Sequence, residues 1–237
     1  MGIGLLDLAI IAIIALFFLS GLYKGFLWNV ATLIVSIVAL LAAYLLMGPV
    51  SKGIIKNSVI YDAMLNYTEG SEAIYDVDLV KVDINSLSND EIDVVMERSN
   101  LPFPLKDRVY ENIMNETFKD RGITTLGDYF NESIVCCFVN IVAFLAVYFV
   151  LRIVLTFLIC WLDYSFKFPR LRIGDSIVGG FIGLLRGVLD IFVVFMVVPI
   201  VLTVLPFDAI EEMISSSAIA SFLHGSNFLL KLIPGTI

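Results

Sequence analysis

Histidine is almost missing from this chain, which has one, His224, and cysteine is sparse, with three among 237 residues. Metal and redox sites built from these residues need clustered ligands. Cys136, Cys137 and Cys160 instead lie in apolar runs with no histidine beside them, where a thiol packs as a small hydrophobe. His224, next to Gly225 in the tail, gives no support to a Ser/His mechanism. Charged residues make up only 16% of the chain, and basic ones are outnumbered 15 to 23. A net charge of −8 and a pI near 4.6 argue against nucleic acid as a partner, because phosphates demand a basic face. No glycine-rich phosphate loop and no metal-ligand spacing occurs. The N-terminal run carries Asp7 in place of a basic n-region and has no Ala-x-Ala site, so it reads as a retained helix and not as a signal peptide. No catalytic, cofactor-binding or metal residues are expected.

What is abundant is apolar. Hydrophobic residues make up 59% of the chain and the mean hydropathy is +0.94, values of an integral membrane protein. Runs in 1–49 and 133–206 exceed the roughly 20 residues that cross about 30 Å of hydrocarbon. Four spans are predicted: Leu5 to Leu22, Phe26 to Met47, Ser133 to Leu162, and Ser176 to about Leu205, with a kink at Pro199. Gly21 to Gly25 permits only a tight turn, and Gly48-Pro49 is predicted to end the second span. The fold class is therefore an all-α membrane protein: two transmembrane hairpins (1–49 and 133–206), a long helical extracytoplasmic loop (50–132) and an interfacial amphipathic tail (207–237).

The loop from Val50 to Glu132 holds 16 acidic and 8 basic residues, so the whole net charge sits there. Ser88-Asn89-Asp90-Glu91 is a capping box opening a helix with Ile92, Val95 and Met96 on one face. Leu105, Val109, Ile113 and Met114 mark a second amphipathic helix. Such faces need cover, from each other, the membrane surface or a partner. Asp208-Ala209-Ile210-Glu211 is a further capping box, and the tail reads as helices lying along the interface. Lys24, Lys167, Arg170 and Arg172 place both short connections in the cytoplasm by the positive-inside rule. Both termini and the loop then face outward. Lys52 and Lys56 flank the outer side, in a loop long enough to cross regardless of charge.

Within the fourth span Ser176, Gly179, Gly183, Arg186, Gly187 and Asp190 share one face at 100° per residue. Gly179, Gly183 and Gly187 form a small-xxx-small seam on which another helix can pack closely. The i, i+4 spacing of Arg186 and Asp190 lets them pair on their own helix. Arg152 and Arg186 are equidistant from Pro169. Either both lie deep in the bilayer, or 153–185 is an interfacial or re-entrant hairpin with both arginines snorkelling at its edge. Asp7 reads as interfacial. Thr32, Ser36, Ala39 and Ala43 give the second span a small-residue face; Asn29 can bridge the first two spans and Asn140 can bond within the bundle. Asp163 and Asp175 together could suggest an aspartyl hydrolase, but both sit in a connection where solvation is the simpler reading.

Asp7 ahead of Leu8-Ala9-Ile10-Ile11, the turn Gly21-Leu22-Tyr23-Lys24-Gly25-Phe26, and Asp175 followed by Gly179, Gly183 and Arg186-Gly187 occur in an order that resembles the bacterial colicin V production (CvpA) family, over about the first 50 residues and 134 to 200. Where members often show Asp-Arg and a Glu after Gly-Phe, this chain has Asp175-Ser176 and Asn29. The resemblance implies an inner-membrane protein tied to toxin production or secretion and to the cell envelope. The leading expectation is a non-enzymatic multi-pass protein whose partners are the lipid bilayer and either copies of itself, as a homo-oligomer, or another membrane protein. A small channel or transporter using Arg152, Arg186 and Asp190 is the alternative, and an intramembrane hydrolase comes third.

Overall fold

The computed structural model describes residues 4–166, 173–204 and 208–237. Among these the chain is all-α: α1 (Leu5–Lys24), α2 (Phe26–Ile55), α3 (Ser58–Thr68), α4 (Asn89–Arg98), α5 (Leu105–Met114), α6 (Leu126–Phe166), α7 (Ile173–Phe195), α8 (Val198–Val204), α9 (Asp208–Ser216), α10 (Ala218–Gly225) and α11 (Phe228–Leu232). Four helical stretches are long and apolar enough to cross a membrane: Leu5–Lys24, Phe26–Ile55, Leu126–Ser165 and Asp175–Val204. The expected cytoplasmic anchors Lys167, Arg170 and Arg172, and Pro169 between them, lie outside the described residues. So do the side chains of Asp208 and Glu211, where the last capping box was expected.

Two boundaries differ from expectation, and the fourth helix breaks beside the proline where a kink was expected. Pro49 does not stop α2, which runs on to Ile55; one proline removes a single backbone bond, a loss that long apolar helices tolerate. The third long helix begins at Leu126 and not at Ser133. The Thr125 hydroxyl accepts the Asp128 N–H at 3.2 Å, an N-cap that satisfies one of the free donors of the first turn. The fourth helix breaks at Met196-Val197, ahead of Pro199, into α7 and α8, as a residue lacking its N–H dictates.

The chain divides into two compact units, with the division falling inside α2 and α6. The first comprises Met1–Met47, Phe144–Met196 and Asp208–Phe228; the second comprises Gly48–Ala143, Val197–Phe207 and Leu229–Ile237. In the second unit the buried faces of α4 (Ile92, Val95, Met96) and α5 (Leu105, Val109, Ile113) form one core with Phe118, Leu126, Tyr129, Phe130, Ile134 and Phe138. The loop helices are therefore covered by each other and by the start of α6. Cys136 and Cys137 are buried in the same core. The buried Glu132 carboxylate accepts from Tyr61 and, at 2.5 Å, from Arg121. Burial, and then this carboxylate, raise the Tyr61 phenol above its ordinary range.

The end of the chain, Leu229–Ile237, belongs to the second unit, where Ile237 packs against this core. Leu229, Leu230 and Ile233 are buried. Asn140 donates to the carbonyls of Pro234 and Thr236 at 2.9 and 3.0 Å, and Asn112 to that of Gly235 at 2.9 Å. Backbone acceptors in a buried segment need such partners, and these come from residues some 90 to 120 positions earlier.

α6 has 41 residues, about 62 Å at 1.5 Å per residue, twice the roughly 30 Å of a hydrocarbon core. Its two parts differ in surroundings. From Ile134 to Phe144 nearly every side chain is buried, whereas Phe149, Val150, Ile153, Val154, Phe157 and Trp161 are exposed. The apolarity of the first part serves a protein core, and that of the second supplies an apolar outer face. Cys160 is exposed on this second part, so it is not packed inside the protein as Cys136 and Cys137 are.

Candidate functional site

Apart from Asn140, the polar and glycine positions picked out within the spans gather in the first unit. α7 packs on α1 through glycine. A Cβ on Gly179 would stand 2.7 Å from the Gly25 carbonyl carbon, one on Gly183 2.5 Å from the Phe17 oxygen, and one on Gly187 2.9 Å from the Phe17 side chain. Approaches under 3 Å leave no room for any side chain, so the seam is filled by the chain's own first helix. Gly25, alone between α1 and α2, has φ +78°, a left-handed value that a side chain disfavours.

This turn is held from both sides. Asn29 donates to the carbonyls of Gly21 and Gly25 at 3.1 and 2.6 Å, satisfying acceptors at the end of α1. The Phe26 N–H, a free donor at the start of α2, is accepted by Asp175 at 3.2 Å across 149 residues of sequence. A carboxylate at a helix N-terminus also meets the positive end of its dipole. Lys24 lies over the Trp28 ring at 4.9 Å.

Further along α7 the arginines part company. Asp190 is gripped by Arg152 of α6, with Nη1 to Oδ1 at 2.5 Å and Nη2 to Oδ2 at 2.8 Å. The Tyr148 hydroxyl adds a bond to Asp190 at 3.3 Å and accepts from Arg152. The pairing of Arg186 with Asp190 predicted from their spacing is replaced by this interhelical one, because a bidentate fork–carboxylate fit satisfies both partners better than a reach along one helix. Arg186 donates instead to Thr32 of α2 at 2.8 Å and lies over the Phe17 ring at 5.0 Å. Its Nε is buried and makes no hydrogen bond among the described residues. Two guanidinium groups and one carboxylate thus join all four long helices of the unit. Ser36, Ala39 and Ala43 continue the buried face of α2 below Thr32.

Asp7, at the start of α1, is 2% exposed, and it accepts from the Gly4 N–H at 3.0 Å, the Ser217 hydroxyl at 2.5 Å and the Ile219 N–H at 2.9 Å. Ser217 is the N-cap of α10, so one buried carboxylate satisfies donors at the starts of two helices. Three donors offset the cost of burying its charge. His224, further along α10, is half-buried beside Phe195, with ring centroids 6.4 Å apart. Burial lowers its pKa below the ordinary 6.5.

The residues Asp7, Gly21, Lys24, Gly25, Phe26, Asp175, Gly179, Gly183, Gly187 and Arg186 are scattered through the sequence but meet around α1 and the turn that follows it. The profile of the colicin V production protein family matches residues 6–76 and 121–227, most of the chain. The chain belongs to the colicin V production protein family. No curated protein and no solved structure matches it. The match reaches further than the motifs alone implied, taking in α3, the start of α6 and the tail through Asn227, and so both Asp7 and its partner Ser217. The colicin V production family segment leaves out 77–120, where α4 and α5 lie. Among the described residues no group of three or more His, Cys, Asp or Glu is placed to hold a metal ion.

Proposed function

We propose that this colicin V production family member is a non-enzymatic, multi-pass protein of the bacterial inner membrane that supports toxin production or secretion, or envelope homeostasis, as an assembly platform. Its first unit is embedded as two hairpins, α1–α2 and α6–α7. Both termini and the acidic loop lie outside, and the outward apolar faces meet lipid, further copies of the chain or a membrane-protein partner. The observation that carries this reading is that Asp7, Asp175, Asp190, Arg152 and Arg186 each engage another helix or a helix end. Ionisable groups in a bilayer mark either a pathway or a structural tie, and these have the partners of ties. The band of Lys24, Trp28, Trp161 and Tyr164 supports an interface at the α1–α2 and α6–α7 connections, where aromatic and basic residues concentrate.

Two experiments test it. Single cysteines at Ser71 and Ser165, on a background lacking Cys136, Cys137 and Cys160, should react with an impermeant maleimide in intact cells at Ser71 only; labelling at Ser165 alone reverses the topology. Cross-linking in native membranes with identification of the captured chains should return a protein partner or a second copy. Recovery of the monomer alone, across several linker lengths, contradicts the assembly role.

A further inference from the structure

The second unit contains a groove that none of the structural ties uses. Its first half, a cavity of about 360 Å³, is walled by Val59, Ile60, Ala63 and Met64 of α3, Phe138 and Val142 of α6, and Ile200 of α8. These walls are apolar. Its second half, about 400 Å³, is bordered by Glu69, Glu72, Asn100 and Thr203. Tyr67, Thr68 and Val204 line both halves, so the two are continuous, and each has the size of a small-molecule site, roughly 300–1,000 Å³.

We propose that this groove is a phospholipid site, taking one acyl chain along α3 and α8 and a primary-amine headgroup, as in phosphatidylethanolamine, against Glu69 and Glu72. Three observations identify the occupant. The apolar walls on α6 and α8 belong to two stretches, Leu126–Ser165 and Asp175–Val204, that are long and apolar enough to cross a membrane, and Val59, Ile60, Val142 and Val204 stand exposed along the groove, where an acyl chain would cover them. The change from apolar to polar lining occurs at Tyr67, which is 75% exposed; tyrosine concentrates at headgroup level. The charged side chains bordering the polar half are both acidic, so an ammonium group is favoured and an anionic headgroup opposed. The site goes beyond the assembly role and does not depend on it, since a lipid could bind whether or not a partner does.

The test uses the full chain in nanodiscs of phosphatidylcholine containing a few per cent of phosphatidylethanolamine or phosphatidylglycerol with a photoactivatable acyl chain, with the labelled residues mapped by mass spectrometry. Labelling is expected within 59–68, 138–142 and 200–204, stronger for the ethanolamine lipid by roughly two- to fivefold per exposed carboxylate engaged. Ala63→Phe, which fills the apolar half, should cut it about tenfold, each excluded methylene being worth a factor of about four. Glu69→Gln with Glu72→Gln lies on the exposed rim, leaves the core untouched, and should abolish the preference between headgroups while chain labelling persists. Labelling only on the outer faces of α1, α2 and the second half of α6 would show annular lipid and overturn the site. Equal labelling by the two lipids in the unmodified chain would overturn the headgroup assignment whatever the variants do. Retained labelling in a folded Ala63→Phe variant, checked by gel filtration, would overturn the acyl chain's place.

Discussion

Replacing Asp190 with asparagine removes the carboxylate that Arg152 grips with both guanidinium nitrogens, and it leaves two arginines on facing helices with no acidic counterpart in the cluster. Breaking a buried pair from one side costs about 3–5 kcal/mol. Arg152 and Asp190 are 22% and 21% exposed at the side chain, so a discount for partial solvation brings the expectation to about 2–3 kcal/mol. For a chain of this length that corresponds to roughly 4–12 °C in apparent Tm. The second variant decides between partners. In the Asp190→Asn background, Arg152→Gln removes the stranded charge and should recover much of the loss. Arg186→Gln should recover little, because Arg186 is held by Thr32 and Phe17. Folded yield and thermal stability in mild detergent, measured for the singles and both doubles, give the coupling energies directly. Equal or greater rescue by Arg186→Gln would refute the interhelical pairing and restore the i, i+4 pair.

Three further expectations follow from the same contacts. Gly183→Leu should greatly reduce folded yield while Ile182→Leu leaves it nearly unchanged, since the Cβ at 183 would already meet the Phe17 oxygen at 2.5 Å; equal yields would remove the α1–α7 seam. Asp7→Asn should weaken the contacts at Ser217 and Ile219 by about 1–3 kcal/mol and speed hydrogen exchange in 217–225 but not in α6; unchanged exchange would show that Asp7 does not hold the tail. Because burial depresses the His224 pKa, its contribution to stability is whole above about pH 6.5 and declines as pH falls through the lowered folded value. His224→Gln should flatten the fall in Tm between pH 7.5 and 5, and an unaltered slope contradicts the burial effect.

The helical spans, the two amphipathic loop helices and the glycine seam are legible in the sequence because each is a local periodic signal: a 20-residue apolar run, a capping box, a small residue every fourth position. Asn29 is legible for the same reason, since its acceptors at Gly25 and Gly21 lie one and two turns away. What the sequence hides is long-range. Nothing near Asp7 points to Ser217, 210 residues on, and nothing near Asp175 names the Phe26 N–H. Arg186 and Asp190 offer a local pair that competes with a distant one, and only packing shows that Arg152 takes the carboxylate. Hydropathy likewise cannot separate residues that face lipid from those that face a protein core. The first part of α6 is as apolar as the second, yet most of its side chains pack in one core with those of α4 and α5. A usable signal was present at Thr125, three residues before Asp128, where the N-cap marks the true start of that helix.

The measurement that bears most directly on the structural role of these charges is complementation of a deletion strain by the charge-free double variant Arg152→Gln with Asp190→Asn, scored as toxin released and growth under envelope stress, at matched folded amount. Near-normal complementation is the expected result, because a tie can be replaced by neutral hydrogen-bonding groups while a charged pathway cannot. Normal folded amount with complementation abolished would contradict it and assign the cluster to a channel or transport route.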